Sequence, residues 1–358
     1  MIITILAIVI VIGGVVLAHE LGHFLFAKLT GMRVEVFSLG FPPRLLGKRI
    51  GDTEYRLSAI PLGGYVKVAG VIDESMDVEG AVGDEKWKYG SKKAYQKILF
   101  VCGGVFFNLL LAIGIYSALS LKYGVFSPAP EPVVETVIPG LPAEIIGLRA
   151  GDRIEAINEQ SVDSWEAMTL LIHAHPHDSV IIRWRNTEGQ VFEKSLLPIT
   201  NKVLKGTKLV EVGMIGISPH MLHRSANLGD ALGSGLANTW YWLKITVISL
   251  KMLVTGEESI KNIGGPIFIA RLAGESAKTG FSSIFGLMAV ISVNLALINI
   301  LPVPAFDGGH LLIILIEALT RKALSVKAKV RIQQIGLALI IALTLLVLFN
   351  DVVRLFKW

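Results

Sequence analysis

Two histidines with a glutamate beside the first occur at His19-Glu20-Leu21-Gly22-His23. On a helix, positions i and i+4 project from one face, so both imidazoles can reach one metal ion. Glu20 lies one residue round, where its carboxylate could take the proton of a water on that metal. A bound zinc brings the pKa of such a water to about 7 and so supplies hydroxide at neutral pH. This is hydrolytic chemistry. The pattern also arises by chance, and its setting gives it weight. The three ionisable groups end an otherwise apolar run, residues 2–18, and a charged group near the centre of a spanning helix costs about 2.5–3.5 kcal/mol. A zinc hydrolase needs a third protein ligand and an open position. His310 and Asp307, in the stretch from Asn299 through Pro302, Pro304, Gly308 and Gly309, are the candidates at membrane depth.

The elements that must carry these residues follow from composition. Of 358 residues, 52% are hydrophobic and 18% charged, against about 25% charged in a typical soluble domain. A disordered or fibrous chain is excluded, and a purely soluble enzyme is disfavoured. The single cysteine, Cys102, excludes an internal disulfide and a cysteine-based zinc finger. Four stretches are apolar enough to cross a bilayer: 2–18, 98–121 with Asn108 inside it, 281–301 with Asn294 and Asn299, and 335–349. No basic region precedes the first run, which is expected to be a retained helix and not a cleaved leader. A fifth stretch, 236–254, carries Lys244, Lys251, Trp240 and Trp242 and is expected to lie along the outer interface.

Lys92, Lys93 and Lys97 abut the second span; Arg321, Lys322, Lys327, Lys329 and Arg331 precede the fourth. Both clusters are expected on the cytoplasmic side. Both termini and residues 122–280 then lie outside, and the third span brings Asp307 back to the side reached by His19 and His23.

Residues 122–220 are expected to hold a small α+β domain. Strands are read at 132–138, 153–158, 178–185 and 190–197, the last pair joined by the Thr187-Glu188-Gly189 turn. A helix is read over 163–174, with Asp163 as N-cap and Glu166 three residues on. His173, His175 and His177 fit a solvated turn, and His220 and His223 lack a third partner in sequence.

Taken together, these residues resemble the site-2 protease family of intramembrane zinc metalloproteases, similar to the bacterial regulator of sigma-E protease. The resemblance rests on the His19 to Phe24 motif and on the stretch from Asn299 to Gly309. Ser38-Leu39-Gly40-Phe41-Pro42-Pro43 and the segment from Ile60 to Lys67 resemble the family's membrane-reentrant β-loop, and Gly104-Val105-Phe106-Phe107-Asn108 also fits. Cys102-Gly103-Gly104 stands where the family usually has Ala-Gly-Pro. Gly140 to Leu148, Gly151-Asp152-Arg153-Ile154 and Ile157-Asn158 resemble a PDZ domain, and only one is found.

The resemblance implies a polytopic α-helical membrane protein of about four spans, with a reentrant β-loop and an inserted α+β PDZ domain. Its parts would be 1–121 with the first two spans, 122–220 as the extracytoplasmic PDZ domain, 221–280 as interfacial amphipathic helices, and 281–358 with the last two spans. His19, His23 and Asp307 would bind Zn2+ and Glu20 would be the catalytic base. Asn299, Asn294, Asn108, Gly40 and Phe41 would meet the substrate. The expected activity is endoproteolysis within or near the transmembrane helix of a single-span protein already trimmed by another protease, such as an anti-sigma factor or a remnant signal peptide. The expected place is the bacterial inner membrane, in contact with lipid and without a nucleic-acid partner. A non-catalytic PDZ scaffold and a metal transporter are the alternatives; neither has a use for Glu20.

Overall fold

The computed structural model of the chain describes residues 2–71, 85–205, 208–259, 261 and 263–355. Helix α1, Ile2–Leu29, continues the first apolar run straight through the histidine motif. Strands β1, Val34–Ile50, and β2, Thr53–Val68, follow and pair antiparallel with repeated register shifts. Residues 36–39 pair with 64–67 on one side and with 54–57 on the other, while 46–49 also pair with 54–57. Each long strand is therefore bent back, and the two produce four adjacent stretches in the order 64–68, 34–39, 53–58, 44–50. A Cβ on Gly13 would sit 3.5 Å from the Pro61 carbonyl, so the bend of β2 reaches α1 about one and a half turns before His19. Helix α2, Ala94–Tyr123, carries the second apolar stretch.

Lys122–Asn227 form a separate compact unit. It holds β3 (Val125–Pro128), β4 (Val134–Val137), α3 (Pro142–Ile146), β5 (Arg153–Ile157), β6 (Gln160–Ser161), α4 (Trp165–His173), β7 (Val180–Arg185), β8 (Val191–Leu196), β9 (Ile199–Lys205), β10 (Lys208–Met214), β11 (Ile217–Pro219) and β12 (Met221–Arg224). A four-stranded sheet in the order β6-β5-β7-β8 is joined by three two-stranded ladders. Val180, Ile182 and Trp184 alternate into the core with Ile154, Ile157 and Met168, as period-two patterning requires. The unit runs past residue 220 because β12 pairs with β3. One sequence expectation needs correcting. The N-cap of α4 is Ser164 and not Asp163: Ser164 has extended φ and ψ, and its Oγ accepts from the Ala167 amide at 3.1 Å.

The other unit is completed by α5 (Leu228–Thr255), α6 (Pro266–Thr279), α7 (Phe281–Ile300), α8 (Asp307–Thr320) and α9 (Val326–Leu355). Among the described residues, α1, α2, α7 and α9 are the four helices long and apolar enough to cross a bilayer. Helix α5 packs along α7, where the Thr246 hydroxyl donates to Asn294 Oδ1 at 2.6 Å. It also meets α2, with Ser120 donating to Ser234 Oγ at 2.8 Å.

Asp351 of α9, 3% exposed, caps a helix from outside it. Its carboxylate accepts from the amides of Gly265 (3.0 Å), Ile267 (3.0 Å) and Phe268 (3.2 Å) at the start of α6. These donors have no partner within the helix, and a negative charge there opposes the macrodipole favourably. Asp351→Ala is expected to destabilise the docking of α6 by about 1–3 kcal/mol. Faster hydrogen exchange of the Gly265, Ile267 and Phe268 amides checks this; unchanged protection would rule the cap out as a structural tie.

Candidate metal centre

His19 and His23 are each 7% exposed, and their Nε2 atoms lie 3.1 Å apart. Asp307 Oδ2 is 3.2 Å from the first and 3.3 Å from the second. The three atoms thus form a nearly equilateral triangle. Ligands at 2.0–2.1 Å in a tetrahedral zinc site are separated by roughly 3.3–3.4 Å. The donor set therefore fits one such ion, and the fit explains a second feature: Asp307 Oδ2 is buried and lacks a hydrogen-bond donor. Among the described residues, His19, His23 and Asp307 form the cluster able to hold a metal.

Asp307 arrives because the chain breaks after α7. Pro302 and Pro304 supply no amide hydrogen and cannot continue the helix, and Ala305 takes a left-handed conformation at φ 73°. Helix α8 restarts at Asp307, whose acidic side chain suits the first turn. A Cβ on Gly308 would lie 2.1 Å from the Leu301 carbonyl, so glycine alone lets α8 fold back against the end of α7. His310, the other sequence candidate, is one turn further on and faces α9, with Nε2 2.8 Å from the Gln333 amide nitrogen.

The rings are held from α2. His23 Nδ1 donates to the Phe100 carbonyl at 2.9 Å, which leaves the Nε2 lone pair for the cluster. Asn108 Nδ2 lies 3.3 Å from His19 Nδ1, while Asn108 Oδ1 is buried without a partner. Amide oxygen and nitrogen are nearly the same in shape. Turning the amide over lets Oδ1 accept from His19 Nδ1–H and satisfies both groups. Asn108 was expected against substrate; at 0% exposure it lies instead behind His19. Ser292 anchors it, donating to its backbone carbonyl at 2.8 Å.

This proximity depends on a helix crossing without side chains. A Cβ on Gly22 would come within 2.2 Å of the Gly103 carbonyl. One on Gly104 would lie 2.5 Å from both His19 Cε1 and His23 Nε2. Gly22, Gly103, Gly104 and the Phe100 carbonyl pack against the cluster and carry no role in the sequence expectations. The glycine pair inside an apolar helix was the available signal.

Glu20, half-buried, follows His19 and interacts electrostatically with His23. It lies beside β2, where a Cβ on Gly64 would be 3.6 Å from Glu20 Cγ. Asn299 Nδ2 is 3.1 Å from His19 Nε2, at the rim of the triangle. Asn294 is engaged with Thr246 on α5. Gly40 and Phe41 occupy the bend of β1; Phe41 is 43% exposed and pairs with Ile60.

The sequence profile of peptidase family M50 matches residues 7–343. A protein of Clostridium perfringens is 34% identical over 344 residues, covering 94% of this chain and 95% of its own length. One from Clostridium acetobutylicum is 32% identical over 345 residues, 96% of each chain. A third, from Helicobacter pylori, is 31% identical over 356 residues, 97% of this chain and 98% of its own. All three carry the words zinc metalloprotease in their names. The chain belongs to peptidase family M50, the site-2 protease family. It is a multi-pass membrane zinc metalloprotease.

Proposed function

We propose that the protein is an intramembrane endopeptidase that hydrolyses a peptide bond within or near the transmembrane helix of a single-span substrate. The observation that carries this is the triangle of His19, His23 and Asp307 atoms at the end of a spanning helix, with Glu20 next to it in the chain. These three residues would hold zinc, which when bound acidifies a water and polarises the scissile carbonyl. Glu20 accepts the proton of the attacking water at its carboxylate and returns it to the leaving nitrogen as the C–N bond breaks. The Phe100 carbonyl and Asn108 keep each histidine in the tautomer whose Nε2 lone pair faces inward.

A substrate helix hides its carbonyls in hydrogen bonds and must be opened before attack. Freed backbone groups at membrane depth need replacement partners. Stretch 64–68, at the edge of the β1–β2 sheet beside Glu20, and the Asn299 amide offer them. Gly40 and Phe41 shape the bend that brings this sheet alongside α1. Asn294 contributes to this only through the position of α7.

The unit at residues 122–227 is proposed to be a PDZ domain on the extracytoplasmic face of a bacterial inner membrane, limiting access to substrates already trimmed by another protease. Anti-sigma factors and remnant signal peptides are the fitting classes. The test uses purified protein and a tagged single-span substrate. Chelation with 1,10-phenanthroline is expected to stop cleavage and stoichiometric zinc to restore it. Cleavage that persists in metal-free protein excludes this mechanism.

A further inference from the structure

A cavity of about 630 Å³ opens at the end of the β1–β2 sheet remote from its bends. Arg33, Arg49, Arg56 and Lys67 line it, with Glu35 and Glu54 as the carboxylates. Glu54 is already engaged, by Arg56 at 2.6 Å and by Arg44, and the Arg56 hydrogen bond helps hold its carboxyl below the usual range. Glu35 lies 3.6 Å from Lys67. The surplus positive charge is on the arginines. Among the described residues, the ion pair of Arg33 is with the exposed Asp52, at 3.6 Å. Arg49 has no ion pair among the described residues.

Two of these guanidinium groups are fixed but incompletely bonded. Arg33 lies over the Trp87 ring at 5.0 Å, and Arg56 donates to the Tyr65 hydroxyl at 3.2 Å. The Nε donors of both are buried with no partner. Those Nε atoms are enclosed, but the Arg33 and Arg56 side chains are still 33% and 29% exposed, and a rigid guanidinium fork matches the oxygens of a phosphate. Depth supplies the rest. Arg33 follows the end of α1, roughly 15 Å beyond His19 along the helix, and Lys92 of the basic stretch before α2 donates to the nearby Gly31 carbonyl at 2.7 Å. The cavity therefore lies at the level of lipid headgroups, distinct from the metal centre and independent of its chemistry.

We propose that this cavity binds a phosphate group, that of an anionic phospholipid headgroup, through Arg33, Arg49 and Arg56. A free phosphate would present the same oxygens, so the experiment has two arms. Full-length protein in neutral detergent is titrated with phosphatidylglycerol against phosphatidylcholine, and retained lipid is counted by native mass spectrometry. Inorganic phosphate is titrated separately, followed by melting temperature. One phosphatidylglycerol is expected to be retained in preference to phosphatidylcholine, with affinity about ten-fold or more weaker in the Arg33→Gln/Arg49→Gln variant. A Lys322→Gln/Lys327→Gln variant, with the same loss of charge elsewhere, should bind as the wild type does. If the arginine pair cannot be changed without unfolding, Arg49→Gln alone serves, since the Arg49 side chain is exposed and makes no ion pair among the described residues. Saturation by inorganic phosphate that the arginine variant abolishes, without lipid retention, supports the phosphate site and overturns the lipid source. Equal retention by wild type and arginine variant, or equal loss in both variants, overturns the proposal.

Discussion

Glu20→Gln is expected to keep the fold and the zinc while cleavage of a single-span substrate falls by about 10²–10⁴-fold. The change preserves shape and removes the group able to accept a proton. The triangle of His19, His23 and Asp307 atoms does not include Glu20, so ion retention should be unaffected. Metal content measured on the same samples separates this from loss of the site. A scaffold or a transporter would be indifferent to the substitution. Wild-type turnover by a zinc-loaded Glu20→Gln variant would end the assignment of Glu20 as the base.

The second large effect is expected from a residue with no functional group. Gly104→Ala places a methyl 2.5 Å from His19 Cε1 and from His23 Nε2, and 2.7 Å from His19 Nδ1. Real contacts of this kind do not occur, so the rings or the α1–α2 crossing must shift. A displacement of about 1 Å can cost 10²-fold in rate, and disturbed ligand support typically lowers metal affinity by about 10–100-fold. Both zinc content and turnover should fall together, unlike the Glu20→Gln result. Alanine at Gly114, where an added Cβ meets nothing within 4 Å, is the control. If both alanine variants bind zinc equally, the crossing is more compliant than its distances imply.

What the sequence made legible was whatever side-chain type and period encode. The i, i+4 histidines and the apolar runs belong to that class, and α1, α2, α7 and α9 lie over the expected stretches. Residue types alone left Asp307 and His310 open, because the two lie one turn apart in a single motif. The restart of α8 directly after Pro302 and Pro304 settles their placement: Asp307 points back to α1, whereas His310 meets Gln333. The Phe100 carbonyl was illegible, since a backbone oxygen has no residue signature. The double pairing of residues 36–39 was hidden for a related reason. Residues 34–39 do alternate in burial, but alternation reports which face is inside and not how many strands flank it. Asp163 and Ser164 are both good caps, and only the backbone angles choose between them.

The proposed metal-binding triangle is also a clock. Its first two corners lie in α1 and are made at the start of synthesis, but Asn299, at the rim, is 280 residues away from His19 and Asp307 is further still. At about 5–20 residues per second, the chain exists for roughly a quarter of a minute to a minute before Asp307 is made. During that interval the emerging chain carries Glu20 and two histidines but no complete catalytic site. On the proposed assignment, a nascent chain is thereby inactive until Asp307 has been made. Chains arrested before Asn299 are expected to bind zinc no better than a His19→Ala variant does.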